Sequence, residues 1–288
     1  MFKCLILIFF TTNLLFSSDV ELEILGSGGP EIDGRASTSY LLWINNKARL
    51  IVDMGSGSML NFEKSNAKLE TLQSVVLTHL HIDHSVDLPA FVKAGYFSKR
   101  TKSLDIIAPN GNEYFPSTTE FLNTLFGKNG AYRYMQDVLT SHSDSFEIIP
   151  INIKKTTIKK YKDFTLTLMR VHHGIVPALA LRIDVYGKSI VISGDTNDEN
   201  HVLEKLALNA DLFIAHHAIP QDTKGYARGL HMLPSTIAKI AKKGNVKKLV
   251  LTHRMLRTIG KEKDTLKIIK KVYKGIVIFA EDEMKIKL

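Results

Sequence analysis

The sequence predicts a single α/β domain built in layers, with helices packed outside the strands. Apolar runs of strand length recur along the chain, and in its second half they alternate with helical stretches. The 288 residues are 44% hydrophobic and 23% charged, an ordinary globular composition that excludes a collagen, a coiled coil and a disordered tail. No Pro- or Ser-rich linker divides the chain, so we expect one domain over residues 19–288.

The first half of the chain predicts a meander of strands. A turn-rich loop, residues 26–30, follows the first of them, and Asn45-Asn46 marks the turn of a hairpin. The strands expected here are 20–25, 38–44, 49–52, 75–78 and 104–108. Helices are expected over 86–97 and over 117–126, the latter because Ser117 and Glu120 have the spacing of a capping box.

The second half alternates strands and helices. Strands are expected over 164–171, 178–185, 189–193, 211–215, 248–252 and 276–280. Helices are expected over 199–208, 263–272 and 234–242, where Pro234 suits a first helical turn. Between the halves, residues 109–150 are the least regular and carry dense aromatic residues. Two interpretations stay open for them: core packing of a helical insertion, or a wall over a site.

The N-terminus has the pattern of a secretory signal. Lys3 precedes an apolar stretch over residues 5–16, and the small residues Ser17 and Ser18 follow. The stretch is shorter than the roughly 20 residues that span a bilayer. We therefore expect residues 1–18 to be a cleaved signal peptide and the mature protein to be periplasmic or secreted, without stable membrane insertion. A buried first strand and an uncleaved anchor are the alternatives.

The charge and cysteine content restrict the partners and the kind of metal site. Thirty-eight basic and 29 acidic residues give a net charge of +9, which favours anionic ligands, although no run of like charge reaches the length of a nucleic-acid arm. A general bias towards lysine is the alternative explanation. Cys4 is the one cysteine, so the sequence excludes a disulfide framework and a cysteine-rich zinc site.

The densest cluster of metal-binding residue types is the segment from Thr78 to His84. It follows an apolar strand directly and offers His79, His81, Asp83 and His84 within six positions. Imidazole and carboxylate are ligands that zinc prefers, and paired ligands on neighbouring residues suit two metals that share a site. Without cysteine, the site resembles an open catalytic site more than a closed structural one.

Further candidate ligands follow other strands. The pair His172–His173 ends one strand, Asp195 ends a second and His253 ends a third. A single histidine at a strand end is usually structural, but polar residues at four strand ends together favour a functional cluster.

With these residues, the chain resembles the metallo-β-lactamase superfamily over about residues 20–281. The resemblance implies a four-layer αβ/βα sandwich with two metals at one edge. It implies that His79, His81 and His173 hold the first metal and that Asp195 bridges both. The second metal would be held by Asp83, His84 and His253. We prefer His173 to His172 because similar relatives place the ligand just before a Gly or Pro. Two Zn²⁺ ions are expected, with Mn²⁺ or Fe²⁺ as alternatives.

The resemblance also implies a mechanism. Two cations about 3.5–4 Å apart would supply hydroxide near neutral pH and hold the oxygens of an ester. Asp83 would orient the water or accept its proton. His231 is similar to a mobile histidine of ribonuclease Z-like and arylsulfatase-like members, where it acts as an acid or stabilises charge; an exposed loop histidine is the alternative.

Within the superfamily, the chain is most similar to the branch of ribonuclease Z, phosphodiesterases and arylsulfatases. Ribonuclease Z carries a His-Glu-Ala-Thr segment where this chain has His216-His217-Ala218-Ile219, so the glutamate is missing. We therefore expect a hydrolase of a small anionic ester, either a phosphodiester or a sulfate ester. Ribonuclease Z-like cleavage of RNA and thioester or lactone hydrolysis are the alternatives, with a homodimer as one option for assembly. His217 is the best candidate to support a metal ligand from behind.

Overall fold

Two seven-stranded β-sheets form the centre of the molecule, and helices lie against both of them. The computed structural model describes residues 19–141 and 145–288. The α/β class and the four-layer sandwich predicted from the sequence are confirmed. The residues of the predicted signal peptide, 1–18, lie outside the described residues.

The first sheet has the strand order β14-β1-β2-β3-β4-β5-β6. Its strands are β1 (Val20–Gly26), β2 (Ser39–Ile44), β3 (Lys47–Val52), β4 (Ser74–Val76), β5 (Leu104–Pro109), β6 (Ile148–Ile153) and β14 (Lys285–Lys287). The helices of this half are α1 (Ser58–Lys64), α2 (Ile82–Ser85), α3 (Leu88–Gly95) and α4 (Thr118–Phe126), with 3₁₀ turns at Leu69–Thr71 and Arg133–Leu139. Strands β3 to β6 run parallel.

The second sheet has the strand order β13-β12-β11-β10-β9-β8-β7. Its strands are β7 (Thr157–Lys160), β8 (Thr165–Val171), β9 (Ala178–Val185), β10 (Lys188–Ile192), β11 (Leu212–His216), β12 (Lys248–Thr252) and β13 (Ile276–Phe279). The helices are α5 (Val202–Leu206), α6 (Tyr226–Leu230), α7 (Pro234–Lys243) and α8 (Glu262–Val272). Strands β10 to β13 run parallel.

Side chains alternate between the two faces of each sheet and so fill three cores. Val250 of β12 points into the core between the sheets, whereas its neighbours Leu249 and Leu251 pack under the outer helices. Leu22 of β1 and Leu181 of β9 are fully buried in the same central core. This packing fixes one sheet against the other and brings the carboxyl ends of β3, β4, β10, β11 and β12 to one edge.

The structure differs from the predicted elements mainly where the sequence is irregular. The helix expected over 86–97 is shortened to α3, and the short helix α2, which was not expected, precedes it. The helix expected over 199–208 is limited to α5. Strand β6 begins at the end of the region of residues 109–150 and runs on to Ile153. Its central residues are half-buried and include Pro150, so neither a continuous apolar run nor strict alternation marks it. Helix α4 begins with the expected capping box of Ser117 and Glu120.

Within residues 19–141 and 145–288, every helix is too short or too polar to span a membrane.

Gly55 allows two loops of the site edge to approach closely. A Cβ at this position would lie 2.2 Å from the Asp83 carbonyl oxygen and 2.6 Å from the Ser37 Cβ, so it would push the 79–84 segment away. We expect Gly55→Ala to lower the free energy of unfolding by about 1–3 kcal/mol and to weaken metal binding. Thermal unfolding and metal analysis would check this. Gly229→Ala is the control, because a Cβ there meets nothing within 4 Å; equal effects of the two substitutions would contradict the prediction.

Candidate metal centre

Loops that leave the strands at one edge bring the first group of histidines together. His79 and His81 follow β4 and the turn after it, and His173 follows β8. One ring nitrogen from each lies within 4.8 Å of the other two. The Nε2 atom of His79 is 3.0 Å from the Nδ1 atom of His81. Three imidazoles that converge in this way could hold one metal ion.

A second group of ligand atoms lies beside the first. Atoms of His84, Asp195, His216 and His253 all lie within 4.8 Å of one another. The Oδ2 atom of Asp83 is 3.5 Å from Nε2 of His84 and 3.9 Å from Nε2 of His253. These residues come from α2, from the last residue of β11 and from the loops after β10 and β12, so both halves of the sandwich contribute to the group.

The Oδ2 atom of Asp195 lies between the two groups. It is 3.3 Å from Nε2 of His253 and 3.8 Å from Nε2 of His84, on one side. On the other side it is 3.6 Å from Nε2 of His173 and 4.0 Å from Nε2 of His79. The structure therefore brings together all seven residues named as ligands, with the Asp195 oxygen at the position of a bridge.

Hydrogen bonds at the Nδ1 atoms orient three of these imidazoles. The Nδ1 atom of His173 donates to the Leu230 carbonyl oxygen at 3.0 Å, and that of His84 donates to the Asp53 carboxylate at 2.9 Å. The Thr38 hydroxyl donates its proton to the Gly28 carbonyl, so it accepts a hydrogen bond from the Nδ1 atom of His253 at 2.8 Å. A proton held on Nδ1 leaves the lone pair of Nε2 free for a metal.

Buried nitrogens without partners provide a test of whether metals fit. Among the described residues, Nε2 of His84, Nε2 of His173 and Nδ1 of His231 are fully buried and have no hydrogen-bond partner. A buried polar atom without a partner is costly and needs an explanation such as an ion. Two of these atoms face Asp195 from opposite sides, so this His/Asp cluster is consistent with a dinuclear metal site.

Burial and neighbouring ionisable groups together shift the pKa values of the site residues. Burial alone would lower the pKa of His84, but the carboxylates of Asp53 and Asp83 raise it to about 9. Burial alone would raise the pKa of Asp195, but nearby imidazoles, His253 foremost, hold it well below its usual value. Burial and the neighbouring His84 lower the pKa of His79. The centre therefore combines an ionised carboxylate with imidazole ligands and favours bound positive charge.

Asp53, which was not predicted from the sequence, supports the segment that carries the ligands. It follows β3, is fully buried, and accepts hydrogen bonds from the Thr78 backbone at 2.6 Å and the Thr78 hydroxyl at 2.9 Å. The same carboxylate orients His84. A sequence signal existed, because Asp53 ends a buried strand in the same way as Asp195 does.

The histidine that supports Asp195 is His216 rather than His217, which corrects the sequence prediction. The Nδ1 atom of His216 donates to Oδ1 of Asp195 at 2.7 Å, and its Nε2 atom is 2.9 Å from the Tyr40 hydroxyl. His217 lies behind the site, with Nε2 3.3 Å from the Thr265 hydroxyl. Because both ring nitrogens of His216 have partners, it acts as a support of Asp195 and not as a metal ligand.

The two remaining candidate histidines have different surroundings. His231 is buried, with Nδ1 3.8 Å from Oδ2 of Asp195, so it is not an exposed loop residue. Burial lowers its pKa to about 3, which makes it a neutral imidazole at neutral pH. His172 points away from the centre, with its side chain 41% exposed and Nδ1 3.1 Å from Asn197.

The aromatic residues of 109–150 divide between both interpretations. Phe126 is buried in the core under the first sheet. The Phe115 ring, in contrast, lies 6.0 Å from the His81 ring. Asn112 holds this loop by accepting from the Phe115 backbone and donating to the Ile175 carbonyl. Phe115 therefore forms a wall beside the metal centre.

The fold and this centre define the class of the protein: it is a metal-dependent hydrolase of the metallo-β-lactamase fold, as the sequence predicted. A family model described as "Anti-Pycsar protein Apyc1" matches residues 20–254. The chain belongs to this family.

Individual proteins and solved structures are also similar to this chain. A ribonuclease Z of Listeria welshimeri is 28% identical over 271 residues, which cover 81% of this chain and 88% of that protein. The metallo-β-lactamase fold protein YhfI of Bacillus subtilis superposes with a TM-score of 0.76 at 22% identity, covering 94% of this chain and all of that one. Zinc-bound PqqB of Methylobacterium extorquens gives a TM-score of 0.67 at 14% identity, covering 93% and 100%.

Substitution of the adjacent histidines distinguishes the two candidates for one ligand position. We expect His173→Ala to remove about one bound metal ion per chain, because its Nε2 faces Asp195. We expect His172→Ala to leave the metal content unchanged. Metal analysis after dialysis would measure both, and metal loss in the His172 variant alone would reverse the assignment.

Two substitutions of His216 test its support of Asp195. In His216→Asn the amide nitrogen takes the place of Nδ1 and can donate to Oδ1, whereas His216→Leu leaves that oxygen and the Tyr40 hydroxyl without this partner. We expect the Leu variant to bind metal about 10–100-fold more weakly and the Asn variant to recover most of this loss. Metal titrations followed by calorimetry would show the difference. Equal affinity in both variants would contradict this role.

Proposed function

We propose that this protein is a phosphodiesterase that cleaves a small anionic phosphodiester and that cyclic nucleotides are its substrate class. The observation that carries the proposal is the position of Asp195 Oδ2 between two groups of histidines. Membership of the Apyc1 family supports cyclic nucleotides as the substrate class within the predicted group of anionic esters.

We propose zinc as the metal because of the chemistry of the candidate ligands. The two groups offer imidazoles and carboxylates, which suit Zn²⁺, and among the described residues no thiolate lies in either group. Zinc in PqqB, a protein of the same fold, supports this choice. His79, His81 and His173 would hold one ion. Asp83, His84 and His253 would hold the other, with Asp195 shared.

The residues around the metals have separate tasks in hydrolysis. Two bound cations supply positive charge that lowers the pKa of water and offsets the charge of the ester oxygens. Asp83, whose Oδ2 atom lies 3.5 Å from Nε2 of His84, would orient the attacking water or accept its proton. His231, buried and neutral, donates a hydrogen bond to a phosphate oxygen through the Nδ1 atom that lacks a partner. Phe115 limits the space beside His81 and favours a small substrate.

Ribonuclease activity is the second candidate, because curated relatives of this chain are named ribonuclease Z. An RNA substrate would contact several phosphates, so its affinity would fall steeply with salt. A small cyclic nucleotide carries one phosphate and would show a shallow dependence.

Hydrolysis measurements on metal-analysed protein test the proposal. The substrates are 3′,5′-cyclic nucleotides with each base, a nitrophenyl phosphodiester, a nitrophenyl sulfate, a lactone and a structured RNA. We expect the cyclic nucleotides to have the highest kcat/KM. We expect Asp195→Ala to lower kcat by at least about 100-fold, because the shared ligand is lost.

Three other outcomes of these measurements would contradict the proposal. Faster cleavage of the sulfate ester or the lactone would overturn the choice of substrate. Faster cleavage of RNA with a steep salt dependence would favour the second candidate. Unchanged turnover in the Asp195 variant would show that the activity does not belong to this centre.

A further inference from the structure

Positive charge is concentrated in one part of the sequence. Residues 234–275 hold thirteen basic and two acidic residues, whereas the rest of the chain holds 25 basic and 27 acidic residues. The whole net charge of +9 therefore comes from this segment, which comprises α7, β12, α8 and the loops between them. A general lysine bias would spread the charge evenly and does not explain this distribution.

Most of these lysines lie at the end of the sandwich opposite the metal centre. Strand β12 begins at Lys248 and runs towards His253, and helix α8 begins beside Arg254 and ends at Val272. Seven lysines gather where α7 and α8 end and β12 and β13 begin. We name this surface the basic end: Lys242, Lys243, Lys247, Lys248, Lys270, Lys271 and Lys274.

Few carboxylates neutralise the basic end. Lys243 pairs with Glu204 at 2.7 Å and Lys247 pairs with Asp211 at 2.6 Å. For the other five lysines, no carboxylate of the described ranges lies within ion-pair distance. Lysines in the last turn of a helix do stabilise its dipole, but two helix ends require fewer than seven.

Apolar side chains are exposed among these lysines. Ile276, two residues after Lys274, is 55% exposed at the start of β13. Leu208, also 55% exposed, lies near the end of α7, since the Asn209 backbone donates to the Gly244 carbonyl at 2.6 Å. Lysines around exposed aliphatic side chains are typical of surfaces that contact the headgroup region of a bilayer.

The described chain also begins at this end. The Lys248 ammonium donates to the Lys287 carbonyl at 2.7 Å, and Lys287 is paired with Glu21 of β1. Asp19, the first described residue, directly precedes β1 and so lies at the basic end.

We propose that the basic end binds the surface of an anionic lipid bilayer and directs the metal centre away from it. The exposed Leu208 and Ile276 favour a bilayer over a nucleic acid. All seven basic residues are lysines, whereas nucleic-acid recognition favours arginine. Such binding adds to the hydrolase activity and does not depend on which ester is cleaved.

Vesicle binding by the full chain tests this proposal. Sedimentation with mixed phosphatidylcholine–phosphatidylglycerol vesicles is compared with pure phosphatidylcholine vesicles at two salt concentrations. We expect stronger binding to the anionic vesicles and a loss of that difference at high salt. We expect Lys242→Gln with Lys243→Gln to weaken anionic binding by about 30-fold, since each lysine near the surface contributes about fivefold.

A second pair of adjacent exposed lysines provides the matched control. Lys154 and Lys155 follow β6 at the metal edge, so Lys154→Gln with Lys155→Gln removes the same charge from the opposite end. We expect this pair to leave vesicle binding within about twofold of the original. Circular dichroism and metal content would show that both double variants are folded.

Three results would overturn the proposal. The first is equal binding to neutral and anionic vesicles. The second is an equal effect of the two double substitutions, which would indicate dependence on net charge alone. The third is binding of an RNA duplex that depends on Lys242 and Lys243, without binding to vesicles.

Discussion

The geometry of the centre depends on how the two oxygens of Asp195 are used. His216 binds Oδ1, and this leaves Oδ2 to face both groups of histidines. If the carboxylate could rotate freely, each oxygen could bind a different cation and the two groups could separate. Tyr40 holds His216 from the far side, so a residue of the first sheet controls a carboxylate of the second. Hydrogen bonds across the two sheets thus define the spacing between the metal positions.

The same edge contains backbone conformations that are unfavourable in isolation. Asp53 has φ 61° and His253 has φ 51°, in the left-handed region that side chains with a Cβ seldom adopt. Such residues cost of order 1–3 kcal/mol each and persist only where their surroundings fix them. Here Thr78 and His84 fix Asp53, and Thr38 fixes the ring of His253. The large shared core between the sheets supports this local cost and keeps the ligands in position.

The fold and the residues that meet at the site edge could be predicted from the sequence, because both leave local signals. The segment from His79 to His84 is dense, and Asp195 and His253 follow apolar strands that are easy to recognise. Supporting residues leave no such signal, since Tyr40 looks like any core aromatic residue until the sheets are packed. His216 and His217 are adjacent in sequence, and strand β11 ends between them, so only the structure separates their roles. Strand β6 was missed because its half-buried residues follow neither strand pattern.

Strand direction explains why chemistry and charge occupy opposite ends of the molecule. Parallel strands β10, β11 and β12 all deliver their carboxyl ends to the metals, and the helices that return between strands end on the opposite side. Lysines in the last turns of α7 and α8 are favourable for those helices, and they accumulate far from the cations that they would repel. A lysine cluster of this charge beside His253 would compete with metal binding. The topology therefore allows a strongly basic surface without lowering the affinity of the metal centre.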